Sequence, residues 1–209
     1  MQSMSLSIPY LLWLSRIMAL RIDVQLPLSE LKKELETLYR RLHQPGDILF
    51  DLPCLDIQFS DLAFRYREAD GEHYVYVEDR KNGCLAGYTV FNRLIELNRR
   101  QDKYLRATHS KYAPAYQRKG IASTLYRWWL DGGNCLISGA RQSAGAYGLW
   151  HSLSEDYALI YVDLRSKTLR FLGREVSPHV REDLHTRMIM LGKDVALETL
   201  ATHTEMIMR

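Results

Sequence analysis

The chain has little cysteine, little proline and almost no excess charge. Three cysteines, Cys54, Cys84 and Cys135, are scattered through 209 residues. They form no C-x-x-C pair, which argues against a disulfide framework or a zinc ribbon and for a reducing, cytoplasmic setting. The seven histidines include no H-E-x-x-H and no close His/Cys cluster, so no metal is expected. The apolar run from Ile8 to Leu20 is too short to span a bilayer and carries Arg16. It also lacks the basic start and small-residue cleavage site of a signal peptide, so no membrane partner is expected. Either it is an extension packed on the domain or on a partner chain, or Met18 is the natural start. The formal charge is +3, from 28 basic and 25 acidic residues, too little to argue nucleic-acid binding alone. Neither a Walker A motif nor G-x-G-x-x-G is present, so triphosphate and dinucleotide sites lack their signatures.

What is there reads as a soluble globular chain. Hydrophobic residues make up 46% and charged residues 25%, enough for one domain with a sizeable core, or one domain with an appendage. No repeat, low-complexity tract or long linker interrupts it. Arg21 to Val24 alternates briefly and predicts a strand. Leu28, Leu31, Leu35, Leu38 and Leu42 recur at helical spacing, with Ser29 as N-cap and Pro45-Gly46 as stop. Residues 48–68 stay open. His73 to Glu78 and Cys84 to Leu97 read as strands about an Asn82-Gly83 turn. Lys103 to Ala113 predicts a third antiparallel strand.

A helix then runs over 120–130, with Gly132 as its C′ residue. A short buried strand over 134–138 follows, then a helix over 142–153. Tyr157 to Leu164 and Thr168 to Leu172 predict a hairpin. Ser177-Pro178 starts a helix that Gly192 ends, and Asp194 caps a last one to about Met206. The order implies one mixed α/β layer arrangement with a single main sheet.

The stretch that carries chemistry is Tyr112-Ala113-Pro114-Ala115-Tyr116-Gln117-Arg118-Lys119-Gly120-Ile121-Ala122-Ser123. A strand ends, a loop follows, and a helix opens at a glycine. Helix N-termini leave N–H groups unpaired and carry a positive dipole end, which suits phosphate. Gly120 permits close approach, Ala122 keeps the first turn open, and Arg118 and Lys119 supply countercharge. A pyrophosphate fits this pattern; so does an ordinary amphipathic helix after a polar loop.

Gln117-x-x-Gly120-x-Ala122 resembles motif A of the GNAT superfamily, the acyl-CoA-dependent N-acyltransferases. Pro114, Tyr116, Ser123 and Leu125 are similar to common family choices. The resemblance spans about 21–173, and compact members from phages and prophages are the nearest kind. It implies a central, mixed, mostly antiparallel sheet with splayed strands, flanked by helices. Residues 1–17 would be an apolar extension, 18–173 the acyltransferase domain and 174–209 a C-terminal helical extension. The two ends would cover each other, build a homodimer or shape the acceptor site.

The resemblance further implies that acetyl-CoA is the co-substrate. Backbone N–H groups of Arg118, Lys119, Gly120, Ile121, Ala122 and Ser123, with Gln117, would hold the pyrophosphate. The backbone of Lys111, Tyr112 and Ala113 would pair with the pantetheine. Many family members use a Tyr as acid on the helix after the second splayed strand. Trp150 stands at that position, and Tyr147, one turn earlier, is the substitute. Glu96 and His109 are the candidate bases, and Ser143 falls where the family often has an Asn near the cofactor. Ser138 and Gln142 could face the same notch. The acceptor is an amine on a small molecule or a protein. The alternatives are a non-catalytic interaction protein on the same scaffold, and a relative acting on RNA or aminoacyl-tRNA. Only a basic cluster around 93–119 supports the last, and such runs are usually solvated faces.

Overall fold

A computed structural model describes residues 27–208. The apolar run over 8–20 and the strand expected over 21–24 lie outside them. The first element is helix α1, Leu28–Leu42. Pro27, not Ser29, holds the N-cap position, and its carbonyl accepts the N–H groups of Glu30 and Leu31. Its buried face, Leu35 and Leu42, packs on Tyr76, Leu85, Tyr88 and Val90.

Four antiparallel strands follow in a meander: β1 (Leu62–Ala69), β2 (Glu72–Asp79), β3 (Cys84–Arg93) and β4 (Leu105–Tyr112). The first hairpin turns on Asp70-Gly71, with φ of +55° and +75°. Both central residues at positive φ are what a two-residue turn matched to strand twist requires, and Asp-Gly tolerates it. The chain then enters helix α2 (Ile121–Asp131), strand β5 (Cys135–Ile137) and helix α3 (Ala144–Leu153). A second hairpin, β6 (Leu159–Arg165) and β7 (Thr168–Gly173), leads to the short helix α4 (Pro178–Glu182). Strand β8 (Thr186–Met190) and helix α5 (Leu197–Thr204) complete the described chain.

The expected helix from Ser177 to Gly192 does not form as a unit. Ser177 does cap a helix, accepting the Val180 N–H, but that helix stops at Asp183. Residues 186–190 instead enter the sheet, whose order is β1-β2-β3-β4-β5-β8-β6-β7. β8 pairs antiparallel with both β5 and β6. Its two faces are buried in different clusters, Met188 and Met190 in one and Ile189 in the other. The sheet is therefore completed by residues beyond Gly173.

The result is the mixed, mostly antiparallel sheet flanked by helices that the sequence implies. The pair β4/β5 is parallel. Helices α2 and α3 bury Leu125, Tyr126, Trp129, Trp150 and Leu153 against one face. α1 and α5 cover the other, α5 through Leu200 and Ala201. No helix among the described residues is long and apolar enough to cross a membrane.

Candidate active site

The loop between β4 and α2 is built by its own side chains. Pro114 opens a single tight turn, Pro114–Tyr116. The Tyr116 hydroxyl donates to Asp79 Oδ2 at 2.7 Å and lies 3.4 Å from Cys84 Sγ. Asp79 also accepts the backbone and side-chain N–H groups of Asn82, at 2.9 and 2.7 Å. These bonds, the Tyr116 one foremost, hold the Asp79 carboxyl below its ordinary range. They also staple the loop to the β2–β3 hairpin. Gln117 Nε2 donates to the Tyr112 carbonyl at 2.9 Å.

Arg118 and Gly120 then take positive φ, +58° and +82°. The first bond of α2 runs from the Thr124 N–H to the Gly120 carbonyl, at 2.9 Å. The N–H groups of Ile121, Ala122 and Ser123 thus precede any intrahelical acceptor. A Cβ added at Gly120 meets nothing within 4 Å, so the chain borders open space at this position. Arg118 and Lys119 are exposed beside it, with Lys119 Nζ 5.4 Å from the Tyr116 ring centre.

Next to this cradle the sheet divides. β4 and β5 pair at only three positions, Leu105 with Cys135, Arg106 with Leu136 and Ala107 with Ile137. Beyond them β4 stays with β3 as far as Tyr112. β5 goes to β8: the Ser138 N–H donates to the Met188 carbonyl, and Ser138 Oγ accepts the Met188 N–H. The Ala113 N–H bonds the Ala86 carbonyl at 2.9 Å. Alternation along the strand then turns the backbones of Lys111 and Ala113 towards β3. Those of Thr108, Ser110 and Tyr112 turn towards the opening. The Tyr112 ring crosses Gly87, where a Cβ would collide with it and with the Lys111 carbonyl. Its hydroxyl meets Thr89 Oγ1 at 2.8 Å.

The proton-transfer candidates lie on two faces. His109 is exposed on β4, on the α1 side, its ring 6.4 Å from that of Tyr88. Ala107 pairs with Ile137 and Ile137 with Ile189, so His109 and Arg187 are level across the opening and on one face. Glu96, in the loop after β3, pairs with the buried Arg187, Oε1 to Nη2 at 3.2 Å. On the same face Glu34 accepts from Tyr88 at 2.6 Å and pairs with Lys111 at 2.9 Å. Burial works to raise the Glu34 carboxyl, but those two partners outweigh it and hold it low.

Tyr147 stands apart on α3, on the α2 side of the sheet. Its hydroxyl accepts from Arg181 Nη1 at 3.2 Å, and its ring lies 4.2 Å from His151. Trp150 is buried in the core under α3. Ser143 caps α3 by accepting the Ala146 N–H at 3.1 Å, and Gln142 beside it is half-buried. Glu96 and His109 therefore share a face that Tyr147 does not. Arg187, Arg181 and Asp79 escaped sequence reasoning because each acts through a contact remote in the chain. A cavity of about 740 Å³ lies against β6, β7 and α4, and no sequence candidate lines it. Among the described residues no group of three or more His, Cys, Asp or Glu could hold a metal ion.

No protein-family model and no curated protein matches the chain. Solved structures similar to part of it include a chimera of spermidine N-acetyltransferase SpeG from Vibrio cholerae and hSSAT. That likeness is at 16% identity, over 79% of this chain and 92% of that one, with a TM-score of 0.36. Another is a point mutant of spermidine N-acetyltransferase SpeG from Vibrio cholerae, at 20% identity, over 59% of this chain and 66% of that one, TM-score 0.34. Both likenesses are slight.

Proposed function

We propose that the chain is an acyl-CoA-dependent N-acyltransferase that moves an acetyl group from acetyl-CoA to an amine. One observation carries the reading: β4 leaves β5 after Ala107, beside a helix N-terminus that opens at Gly120, where the chain borders open space. An opened strand edge offers N–H and C=O groups to an amide-bearing chain, and the N–H groups of Ile121, Ala122 and Ser123 offer themselves to phosphates. Coenzyme A has both parts in that order. Gln117-x-x-Gly120-x-Ala122, the motif that resembles the GNAT superfamily, sits at this junction.

In the proposed reaction the amine nitrogen attacks the thioester carbonyl carbon. A C–N bond forms and the C–S bond breaks. The developing oxyanion is met by a backbone donor of the open edge, such as the Ser110 or Tyr112 N–H. The amine proton passes to Glu96 or His109, directly or through water, and the sulfur leaves as thiolate. Tyr147, on the other side of the sheet, is the group that would return a proton to sulfur. Glu34 and Glu96 are already paired with Lys111 and Arg187. That favours an acceptor amine of low net charge over a polycation.

Calorimetry of the intact protein with acetyl-CoA tests the reading. Saturable binding is expected, with release of free thiol when the right amine is added. A folded protein that binds no acetyl-CoA overturns it.

A further inference from the structure

We propose that the cavity beside α4 binds a free α-amino acid with an aliphatic side chain, held by its ammonium and its carboxylate together. The cavity, about 740 Å³, has strands for a floor and a helix for a wall. Asp163 of β6 pairs directly with Arg170 of β7 on one side and with Thr186 of β8 on the other. The three therefore stand in one row across the sheet. α4 covers the β8 end of that row. Thr186 Oγ1 donates to the Val180 carbonyl at 2.6 Å, which ties the wall to the floor before any ligand arrives.

The charges of the lining decide what fits. Arg165 is already spent: its Nε donates to Asp163 Oδ1 at 2.9 Å and its Nη2 to Asp183 Oδ2 at 2.7 Å. Asp183 is filled as well, because its Oδ1 accepts the His185 N–H at 2.8 Å. Arg170 and Glu182 remain. Both line the cavity, both are exposed, and neither side chain makes a hydrogen bond or ion pair with a described residue. Asp163 keeps Oδ2, since the Arg165 bond takes only Oδ1. Directly opposite side chains on antiparallel strands start about 5 Å apart. The Arg170 guanidinium and the Asp163 carboxylate are such neighbours, yet they are not joined. An α-amino acid carries both its charges on one carbon and so can serve the two at once. Its carboxylate takes the Arg170 fork, and its ammonium donates to Asp163 Oδ2 and Glu182. Leu172 and Val180, both half-buried, are the apolar part of the lining and suit an aliphatic side chain. A ligand that is only a cation meets like charge at Arg170. One that is only an anion meets it at Asp163 and Glu182.

The site is separate from the cradle at Gly120 and from the opening, none of whose residues line it. β5 and β8 stand between the Asp163–Arg170 pair and β4, about 14 Å of sheet. Amino-acid binding here therefore stands or falls independently of acyl transfer.

The test is titration of the full chain with leucine, read by calorimetry and amide chemical shifts. Leucinamide, which lacks the carboxylate, and isocaproate, which lacks the ammonium, are comparators on the same carbon skeleton. Saturable leucine binding is expected, with shifts centred on 163–186, and each comparator should bind at least about tenfold more weakly. Arg170→Gln should bring leucine down to the level of leucinamide, and Glu182→Gln should weaken it several-fold. Both positions are exposed, so neither change threatens the fold. The proposal is overturned if leucine fails to bind at millimolar concentration, if either comparator binds as tightly, if the shifts fall elsewhere, or if either variant binds leucine as the unaltered chain does.

Discussion

The sharpest prediction concerns Gly120, whose φ of +82° no other residue type adopts freely. Replacing it by Ala or by Glu forces an L side chain into the left-handed region, at about 1–2 kcal/mol. Nothing lies within 4 Å of the added Cβ, so packing adds no further cost. For a domain of this size each kcal/mol lowers Tm by about 2–4 °C. Both variants should therefore lose a few degrees and remain folded. They part company on acetyl-CoA. The Glu carboxylate would stand about 5 Å from a phosphate in the cradle. Coulomb's law then gives about 1 kcal/mol of repulsion in bulk water and about 3 near a protein surface. Gly120→Glu should thus bind acetyl-CoA about fivefold to one or two hundredfold more weakly than Gly120→Ala. Calorimetry at low salt measures the difference, and thermal unfolding confirms the shared backbone cost. Equal affinities in two folded variants would refute a pyrophosphate at this helix end.

Three further perturbations test the surroundings. Gly87→Ala drives a methyl group into the Tyr112 ring and should cost about 1–3 kcal/mol in urea unfolding. Tyr116→Phe removes the bond to Asp79 and should cost about 1–2 kcal/mol. The Asp79 carboxyl titrates below its ordinary 3.8 when folded, so its stabilising contribution is complete above that pH. It is lost as pH falls through the folded value, and in Tyr116→Phe this acid loss should shrink. A chain cut after Gly173 lacks β8 and should give the collapsed amide spectrum of a chain without a native sheet. A cooperative, well-dispersed spectrum would contradict the central place of that strand.

The legible parts of the sequence were those with local causes. The leucine stripe of α1, the strands around Asn82-Gly83 and the Gly120 helix start each carry their signal within a few residues. Asp70-Gly71 was equally local, an Asp-Gly pair between β1 and β2, but the broken run before it hid the first strand. Thr186–Met190 was different. Buried on both faces, it shows no alternation, and its neighbours Ser177-Pro178 announced a helix truthfully but not its length. The opening between β4 and β5 was legible only through the resemblance of the Gln117–Ala122 motif; no local residue pattern marks it. It arises from three paired positions and a change of partner. Glu96 meets Arg187 across 91 residues and Tyr147 meets Arg181 across 34. Such pairs exist only once the sheet has assembled.

The slot between β5 and β6 has one more consequence, for the order in which the molecule can be made. Strands β1 to β4 pair with neighbours in sequence and can close as they leave the ribosome. β5 and β6 cannot, because the strand that separates them follows both in the chain. Until residues 186–190 emerge, both carry apolar side chains and an unmet row of backbone groups. The second half of the sheet therefore closes later than the first, only once residues 186–190 have emerged. A chaperone or a slow stretch of translation would matter there and not in the first half.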